Sequence, residues 1–304
     1  MWPKSRLTLS TMPELPEVET VRRDLEKVVL QLPIFKVEVF HAKTIKPLTA
    51  RQLQNRLQGQ SIKAIKRIGK LLIFELHNST EVLLVHLKMT GQMIYAAPVK
   101  KGEVKKLIAG GHSLSKPLEG LPNKHTRLVL TFKNGAQLFF NDLRLFGYWK
   151  LVAPKELEKI KSKYGIEPLT ENFTWPNFKT ALGQRTANVK SILLNQSIIS
   201  GLGNIYVDEA CWRAKINPAR TVKSLIEAEL KKLFAACRDV IELGVKYRGT
   251  TFNHFVDGHG QRGGFLKFLK VYGRAGQSCE RCQTLIKKIR LAGRGTHYCP
   301  NCQK

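Results

Sequence analysis

The chain has 304 residues, of which 43% are hydrophobic, and its 51 lysines and arginines outnumber its 23 acidic residues to give a formal net charge of +28. The length predicts about two domains with hydrophobic cores, and the charge predicts a polyanionic partner, either nucleic acid or an anionic membrane. Because no apolar run approaches the ~20 residues of a membrane span and residues 1–11 lack the apolar core of a secretory signal, we predict a cytoplasmic protein without a disulfide framework.

Residues 12–20 read MPELPEVET and place two prolines, each followed by a glutamate, before a helical pattern. Pro16 suits the first position of a helix from about residue 16 to 30, whereas Pro13 and Glu14 lie outside that helix and are not needed for it. If Met12 were the first residue and were removed, Pro13 would carry a free secondary amine. Such an amine attacks an electrophilic carbon to give a cationic iminium, and Glu14 is placed to move the proton. An ordinary N-terminal turn before a helix is the alternative, and this stretch alone favours it.

The first half of the chain is predicted to be mainly antiparallel β structure, in two packed sheets. Asn134 and Gly135 predict a tight hairpin between two of the strands. The Gly-, Pro- and Lys-rich stretch between residues 96 and 127 predicts a basic surface loop, whose end is a secondary candidate for nucleic-acid contact. Short segments rich in β-forming residues predict the strands at 36–40, 71–76, 82–87, 92–95, 127–132, 136–140 and 148–152.

After residue 153 the apolar period becomes helical, and capping residues predict where the helices begin and end. The Gly-rich connection at 200–203 joins two of them, and it is read either as a phosphate-binding turn with Asn204 or as a plain helical hairpin. The predicted helices run from Lys155 to Tyr164 before Gly165, from an Asn188 cap, from an Asn204 cap to about Ala214, and from a Ser224–Glu227 capping box to Gly244.

Two Cys-x-x-Cys pairs near the end of the chain have the spacing of a structural zinc site with four thiolate ligands. The sequence between the pairs predicts a β-hairpin with strands at 286–290 and 297–299. His297 is a further candidate ligand, but four cysteines already fill a tetrahedral site. The other two cysteines lie on helical patterns and are predicted to be core residues. The predicted ligands are Cys279, Cys282, Cys299 and Cys302, and the predicted core cysteines are Cys211 and Cys237.

Seven motifs follow one another along the chain: residues 13–19 (PELPEVE), 69–70 (GK), 86–91 (HLKMTG), 142–147 (DLRLFG), 165–169 (GIEPL), 201–206 (GLGNIY), and the zinc hairpin with 293–296 (GRGT). In these motifs and their order the chain resembles the formamidopyrimidine-DNA glycosylase/endonuclease VIII family of base-excision repair enzymes. The resemblance covers nearly everything from residue 12 to 304.

The resemblance implies an α+β multidomain fold. Residues 12–152 would form a β-sandwich flanked by helices, 153–260 a helix–two-turn–helix domain, and 261–304 a zinc-ribbon hairpin. Residues 1–11 would be an extension outside the mature protein. The expected cofactor is one structural zinc ion, with no organic cofactor, and the expected partner is double-stranded DNA that contains oxidised bases. A monomer in the cytoplasm, associated with the nucleoid of a prokaryotic cell and not with a membrane, is expected.

The resemblance also implies a mechanism for a base that is flipped out of the duplex. The amine of Pro13 attacks the sugar C1′ and expels the base, while Glu14 protonates the opening sugar. The strand is then cut by β-elimination, assigned to Lys70, and by δ-elimination, assigned to Arg294. Without the resemblance, both of these cations would be read as solvated side chains. An internal Pro13 is an amide without a basic amine, so the mechanism requires that the chain begin at Met12 or lose its leader.

Further residues match family positions that contact DNA. An apolar wedge and an arginine are expected to fill the hole left by the flipped base, although core packing is the alternative for the two apolar side chains. Residues 249–264 resemble the mobile loop that covers the lesion. Residues 97–124 are longer than the family pattern, which weakens the match of His125, and the match around Arg185 is loose. The matched residues are Met89, Arg144 and Phe146 for the hole, His125, Arg144 and Arg185 for contact with DNA, and Asn204 for a phosphate clamp, with His86 a further candidate in the motif of Met89.

We therefore predict a bifunctional glycosylase and lyase for oxidised purines such as 8-oxoguanine and formamidopyrimidines. One alternative is an endonuclease VIII-like enzyme for oxidised pyrimidines, and Leu15 after Glu14 together with Arg144 and Phe146 favours the purine branch over it. Another alternative is a catalytically inactive DNA-binding relative whose leader blocks Pro13.

Overall fold

A computed structural model describes residues 12–98, 120–250 and 263–304, together with the backbone of 107–112 and 255–256. Residues 1–11 lie outside the described residues, so the expectation of an N-terminal extension stays a prediction. The same holds for most of the expected basic loop and most of the expected lesion-covering loop.

The N-terminal half consists of a first helix followed by two antiparallel β-sheets, as the sequence predicts. The six-stranded sheet has the order β1-β7-β8-β5-β6-β10, and the four-stranded sheet has the order β2-β3-β4-β9. The elements are α1 (Leu15–Val29), β1 (Ile34–Val39), α2 (Ala50–Leu57), β2 (Ile62–Ile68), β3 (Leu71–Leu76), β4 (Val82–His86), β5 (Gly91–Ala96), β6 (Leu107–His112), β7 (Thr126–Phe132), β8 (Gln137–Asp142), β9 (Tyr148–Val152) and, from the second half of the chain, β10 (Phe255–Val256).

One hydrophobic core joins the two sheets and α1. Val18, Val21 and Leu25 repeat at helical spacing and place the apolar face of α1 in this core, beside Phe140 and Trp149 from the two sheets. The hairpin between β7 and β8 turns at Gly135, whose φ of 85° is a conformation that glycine adopts without strain. The packed sheets hold the loops that follow β2, β4 and β8 at fixed positions.

The second half is helical and has its own core around a pair of long helices. The two core cysteines, Cys211 and Cys237, are fully buried there, as predicted. Asn188 caps its helix, because its side-chain oxygen accepts the backbone N–H of Ser191 at 2.8 Å. The helices are α3 (Pro154–Lys161), α4 (Trp175–Leu182), α5 (Val189–Leu194), α6 (Asn204–Ala214) and α7 (Glu227–Lys246).

Three helix boundaries differ from the predicted ones. Gly165 does not end α3, which stops at Lys161; instead Gly165 lies so close to Ile198 that a Cβ would stand 2.1 Å from the Ile198 carbonyl oxygen. Helix α7 begins at Glu227 because a Glu229 carboxylate oxygen accepts the Ile226 N–H at 3.0 Å, so Ser224 forms no capping box. Helix α6 is capped from outside its own sequence, as described below.

The C-terminal segment folds as a hairpin, as predicted, with β11 (Lys287–Leu291) paired to β12 (Arg294–Tyr298). The second strand begins at Arg294 and not at the predicted residue 297, because Arg294 and Gly295 already pair with Leu291 and Arg290. It packs against α6, and the side chain of Trp212 on that helix reaches the cysteine cluster. Among the helices in the described part of the chain, none is both long and apolar enough to cross a membrane.

Candidate active site and DNA-binding cleft

A cleft of about 490 Å³ opens where the N-terminus of α1, the turn after β2, the end of β4, the N-terminus of α6 and the tip of the C-terminal hairpin meet. Several of its residues come from sequence motifs that lie far apart in the chain. Pro13 is buried and does not line the cleft itself, but its two chain neighbours, Met12 and Glu14, do. The nominated residues that line the cleft are Glu14, Lys70, His86, Asn204 and Arg294.

Glu14 fits into the start of helix α6 and replaces the missing capping side chain. Its two carboxylate oxygens accept the backbone N–H groups of Ile205 at 3.0 Å and Tyr206 at 3.4 Å. Gly203 is the N-cap of α6, and a Cβ there would stand 2.2 Å from the Glu14 carboxyl carbon. The predicted Asn204 cap is therefore wrong, because Asn204 is the first residue of the helix and a carboxylate from the other half of the chain caps it.

Burial raises the pKa of Glu14 to about 7, against the opposing effect of the Lys70 cation, while the nearby Glu17 raises it further. The side chain is only 3% exposed. A carboxyl group with this pKa is both protonated and ionised in substantial amounts near neutral pH. It can therefore donate a proton and take it back, as a general acid–base residue must.

Glu17 is a central residue of the site, although the sequence indicated no role for it there. One of its carboxylate oxygens accepts the Glu14 N–H at 3.0 Å. The other accepts the Tyr206 hydroxyl at 2.8 Å and the Thr250 N–H at 2.7 Å. Thr250 is the second residue of the expected lesion-covering loop, residues 249–264. Glu17 thus connects the N-terminal segment, helix α6 and the start of that loop. The second Pro-Glu pair in the sequence is the feature that could have pointed to Glu17.

Lys70 stands on a turn that is fixed by buried charges. Arg67 donates to Glu19 at 3.0 Å and to Glu167 at 2.7 Å, and the other oxygen of Glu167 accepts the Gly69 N–H at 2.6 Å. Gly69 has a φ of 54°, a left-handed conformation that favours glycine. Glu167 therefore holds the turn through the backbone N–H of Gly69, and Arg67 holds it from the end of β2. The sequence did not indicate this role for Arg67 or Glu167, because Arg67 pairs with residues 48 and 100 positions away.

The amine of Lys70 points into the cleft, where it donates to the Leu202 carbonyl oxygen at 2.9 Å. Burial lowers the pKa of Lys70, and the Arg294 cation lowers it further, whereas Glu14 and Glu17 raise it. His86 lines the same wall, and its Nδ1 accepts the Lys88 N–H at 3.0 Å. Burial lowers the pKa of His86 to about 3, so its ring is neutral in the free protein.

Met89, Arg144 and Phe146 form a second cluster outside the cleft lining. The Arg144 guanidinium lies 3.1 Å from the Met89 sulfur and 4.7 Å from the centre of the Phe146 ring. Phe146 is 46% exposed, so ordinary core packing does not explain it. The three residues protrude together, which is the arrangement that an inserting wedge needs.

Asp142, at the end of β8, organises the loop that carries this wedge. Its carboxylate accepts the N–H of Arg144 at 3.2 Å and of Gly147 at 2.7 Å, and it also accepts the Thr90 hydroxyl. The loop that carries Met89 is thereby tied to the loop that carries Arg144. Asp142 belongs to the motif at residues 142–147, but the motif alone did not indicate this role.

His125 and Arg185 are not brought into the cleft. His125 is half-buried near the wedge loop, where its carbonyl oxygen accepts the Asp142 N–H at 2.9 Å; burial and the neighbouring cations lower its pKa. Arg185 is exposed between α4 and α5 and contacts the Ala181 carbonyl oxygen at 3.4 Å. Arg127, which sequence analysis did not nominate, lies beside His125 and donates to the Asp142 carbonyl oxygen at 2.8 Å.

Asn204 links helix α6 to the hairpin, because its Nδ2 donates to the Gly295 carbonyl oxygen at 3.0 Å and approaches the Tyr272 hydroxyl at 3.4 Å. Arg294 directly precedes Gly295 and extends from the tip of the hairpin into the cleft. The first residue of α6 and the hairpin arginine are therefore held next to each other.

The four predicted cysteine ligands converge, and their sulfur atoms all lie within 4.8 Å of one another. Four sulfurs around a zinc ion with Zn–S bonds of about 2.3 Å stand about 3.8 Å apart, which fits this cluster. Trp212 donates its indole N–H toward the Cys279 sulfur at 3.4 Å, and the Cys302 N–H points to the Cys299 sulfur at the same distance. These donors supply the outer hydrogen bonds typical of a metal–thiolate site. His297 faces Asp208 and is not part of the cluster.

A basic cleft with a buried acid, a lysine and an arginine, beside an exposed wedge and a zinc-binding hairpin, defines a DNA-binding enzyme. Three family models match the chain. They are the formamidopyrimidine-DNA glycosylase N-terminal domain over residues 12–149, the H2TH domain of the same enzymes over 164–256, and the zinc finger found in FPG and IleRS over 276–304. The chain belongs to the formamidopyrimidine-DNA glycosylase family.

Individual proteins agree with this assignment. A formamidopyrimidine-DNA glycosylase of Pelotomaculum thermopropionicum is 40% identical over 295 residues, which cover 96% of this chain and 99% of the relative. The structure of Lactococcus lactis Fpg bound to DNA with an abasic site has 35% sequence identity and a TM-score of 0.83, and covers 96% of this chain and 100% of that one. A complex of a mutant of the same Lactococcus protein with Fapy-dG-containing DNA matches equally well, with 35% identity, a TM-score of 0.83 and the same coverage.

These findings confirm the expected family, the α+β fold and the single structural zinc site. They do not test the residue roles or the domain boundaries, which stay predictions.

Proposed function

We propose that this protein is a DNA glycosylase and lyase that removes oxidised purines, such as 8-oxoguanine and formamidopyrimidines, from duplex DNA in base-excision repair. The observation that carries the proposal is the position of Glu14. Its carboxyl group has a pKa near 7, caps helix α6, follows Pro13 directly, and shares one cleft with Lys70 and Arg294. The names of the relatives and the DNA in the Lactococcus complexes support this substrate class.

In the first step the Pro13 nitrogen attacks C1′, and the glycosidic bond breaks so that the base leaves with the electron pair. Glu14 then gives its proton to the ring oxygen O4′, the C1′–O4′ bond opens, and the nitrogen lone pair forms the iminium. The N–H proton of the amine is lost to water. An amide nitrogen has no available lone pair for this chemistry. We therefore propose that active protein begins at Pro13, in agreement with the family match that starts at residue 12.

The iminium makes the C2′ proton acidic. Lys70, whose pKa is lowered by burial, is our candidate base for it. The electron pair from that C–H bond moves toward the iminium, the C3′–O bond breaks, and the 3′-side phosphate leaves with its electron pair. In the following δ-elimination the C4′ proton passes to water and the C5′–O bond breaks, while the Arg294 guanidinium neutralises the leaving phosphate.

The remaining nominated residues would hold the DNA. Met89, Arg144 and Phe146 would enter the space that the flipped base leaves, with Arg144 bonded to the orphaned partner base. His86 and Asn204 in the cleft, with His125 and Arg185 farther along the surface, would contact phosphates. Because the relative is bacterial, we place the proposed reaction in the cytoplasm, on nucleoid DNA. A monomeric enzyme stays a prediction from the sequence.

Borohydride trapping tests the proposal, because the reagent reduces an iminium to a permanent cross-link between protein and DNA. Two forms are compared, one that begins at Pro13 and one that retains residues 1–12, on duplexes with 8-oxoguanine or thymine glycol. We expect the first form to cross-link, with preference for 8-oxoguanine, and the second to bind DNA without cross-linking.

Efficient cross-linking by the form that retains residues 1–12 would refute the role of Pro13. Preference for thymine glycol would move the enzyme to the oxidised-pyrimidine class. Binding without cross-linking by both forms would mark a catalytically inactive DNA-binding relative.

A further inference from the structure

A buried ion pair in the helical half holds the tip of the zinc hairpin. Lys190 on α5 and Asp208 on α6 are both fully buried, and the Lys190 Nζ lies 2.6 Å from an Asp208 oxygen. Buried charges are costly unless they are paired and their remaining hydrogen-bonding capacity is used. Neither residue lines the cleft, and the mechanism above uses neither of them.

Both members of the pair also form hydrogen bonds with the backbone of β12. The Lys190 Nζ lies 3.3 Å from the Gly295 carbonyl oxygen, and the second Asp208 oxygen accepts the His297 N–H at 2.8 Å. Gly295 and His297 are two positions apart, so these bonds leave from the same edge of the strand. Asn204 adds a third bond to the same carbonyl oxygen. The strand is therefore fixed to the helical half at two successive points.

Arg294 directly precedes the first of these points. Its guanidinium makes no hydrogen bond or ion pair with any residue in the described part of the chain, and the side chain is exposed in the cleft. The location of its charge therefore depends on where its backbone is held. The bonds to Gly295 and His297 set that backbone position relative to Glu14 and Lys70.

We infer that Lys190 and Asp208 are positioning residues for Arg294, and that they set how much of the cleaved strand proceeds from β- to δ-elimination. This inference rests on the proposed role of Arg294. In the second elimination the C4′ proton is lost to water, its electron pair passes through the conjugated iminium, and the C5′ oxygen leaves with its phosphate. A guanidinium that stabilises this leaving group must be placed accurately, whereas base release at C1′ does not require it.

The experiment uses the full chain that begins at Pro13, loaded with zinc, and a duplex labelled at the 5′ end. Lys190→Met removes one charge, and Lys190→Met/Asp208→Asn removes both, so that no buried carboxylate is left unpaired. Leu193→Ala on the same helix is the matched control, because it opens a cavity in the helical core without touching the hairpin. Arg294→Ala removes the guanidinium and gives the reference product ratio for its complete loss. Gel electrophoresis separates the β product, with its sugar remnant, from the δ product, which ends in a 3′-phosphate.

We expect the double variant to bind one zinc per chain and to release 8-oxoguanine within about twofold of the wild-type rate constant. Its ratio of δ to β product should fall at least fivefold, toward that of Arg294→Ala, while Leu193→Ala keeps the wild-type ratio. A merely structural ion pair would lower all steps together and would affect the control in the same way.

An unchanged product ratio in a folded, zinc-loaded double variant would overturn the inference, provided that Arg294→Ala lowers it. If Arg294→Ala leaves the ratio unchanged, the proposed role of Arg294 fails and positioning through it fails with it. Trapping at Pro13 does not depend on either result, so the proposed glycosylase activity is judged separately.

Discussion

The Glu14 carboxylate accepts hydrogen bonds from the half of the chain to which Glu14 does not belong. Its carboxylate completes the N-terminus of α6, and Gly203 provides the space for it. Helix N-termini favour negative charge, yet the pKa of Glu14 is raised because burial outweighs the backbone hydrogen bonds. Sequence motifs indicated residues 14 and 204 as site candidates, but neither motif predicted that the two segments are in contact.

Gly203→Ala tests this packing directly. A methyl group at residue 203 would collide with the Glu14 carboxyl carbon, so the side chain must shift by about 1 Å or more, and such misplacement can cost about 100-fold in rate. We expect base release from 8-oxoguanine DNA to fall by about that factor, with little change in DNA affinity. Gly135→Ala strains a hairpin in the other half and controls for lost stability. Normal turnover by Gly203→Ala would show that the position of Glu14 is unimportant.

The pH dependence of base release follows from the pKa of Glu14. Because this pKa is raised to about 7, the carboxyl group keeps its proton below pH 7 and loses it above. The single-turnover rate constant should therefore fall about tenfold per pH unit on the alkaline side. Glu14→Gln should lower the rate at least 100-fold and remove this alkaline limb, while DNA binding survives. Glu75→Gln, at an exposed ion pair with Lys66, is the control and should keep the limb. A wild-type profile in Glu14→Gln would refute its role as the acid.

At the scale of secondary structure, the sequence predicts best those elements that depend on local pattern. The strands β3 and β9 begin and end at the predicted residues, and the sequence between the two cysteine pairs predicts the hairpin. Helix α2 was missed although Thr49 and Gln52 form a capping box, because Leu53 and Leu57 alone make its apolar face. Strand β6 falls within a predicted loop because its two glycines break the alternation, and pairing with β5 supplies what the pattern lacks.

Helix boundaries that depend on distant partners could not be predicted from the sequence around them. The cap of α6 comes from a residue 191 positions away. The turn that carries Lys70 is held by Glu167, which belongs to the helical half. The candidate site was therefore predictable as a set of motifs, whereas the contacts that Glu17, Arg67 and Glu167 make within it are visible only in the folded arrangement.

Removal of zinc should unfold the whole C-terminal hairpin. Without the metal, four thiols no longer hold the hairpin together, so β11 and β12 should unfold and release the contacts of Asp208 and Asn204. We expect a chelator to abolish δ-elimination and to weaken binding to lesion DNA at least tenfold, and added zinc to restore both. Unchanged binding by a protein shown to be free of zinc would indicate that the hairpin contributes little to the interface.

At the scale of the whole molecule, the charge of +28 and the DNA-binding cleft predict salt-sensitive binding. Each lysine or arginine that contacts a phosphate releases condensed counterions, with a slope near −0.9 per phosphate in a plot of log affinity against log salt. With about four such contacts, affinity for undamaged duplex should fall about 100-fold between 50 and 200 mM salt. Fluorescence anisotropy with a labelled duplex measures this, and a flat response would contradict phosphate binding by the cleft.

The bond between Glu14 and the start of α6 also orders events during synthesis. The ribosome releases Glu14 early and the hairpin with Arg294 near the end, at about 5 to 20 residues per second. The nascent β half can fold, but its acid has no helix to cap until residues 203–206 emerge, and the cleft stays open on one side until the hairpin docks. For roughly 15 to 60 s the growing polypeptide therefore holds an unfinished candidate site, and the complete site forms only after the last segment has been translated.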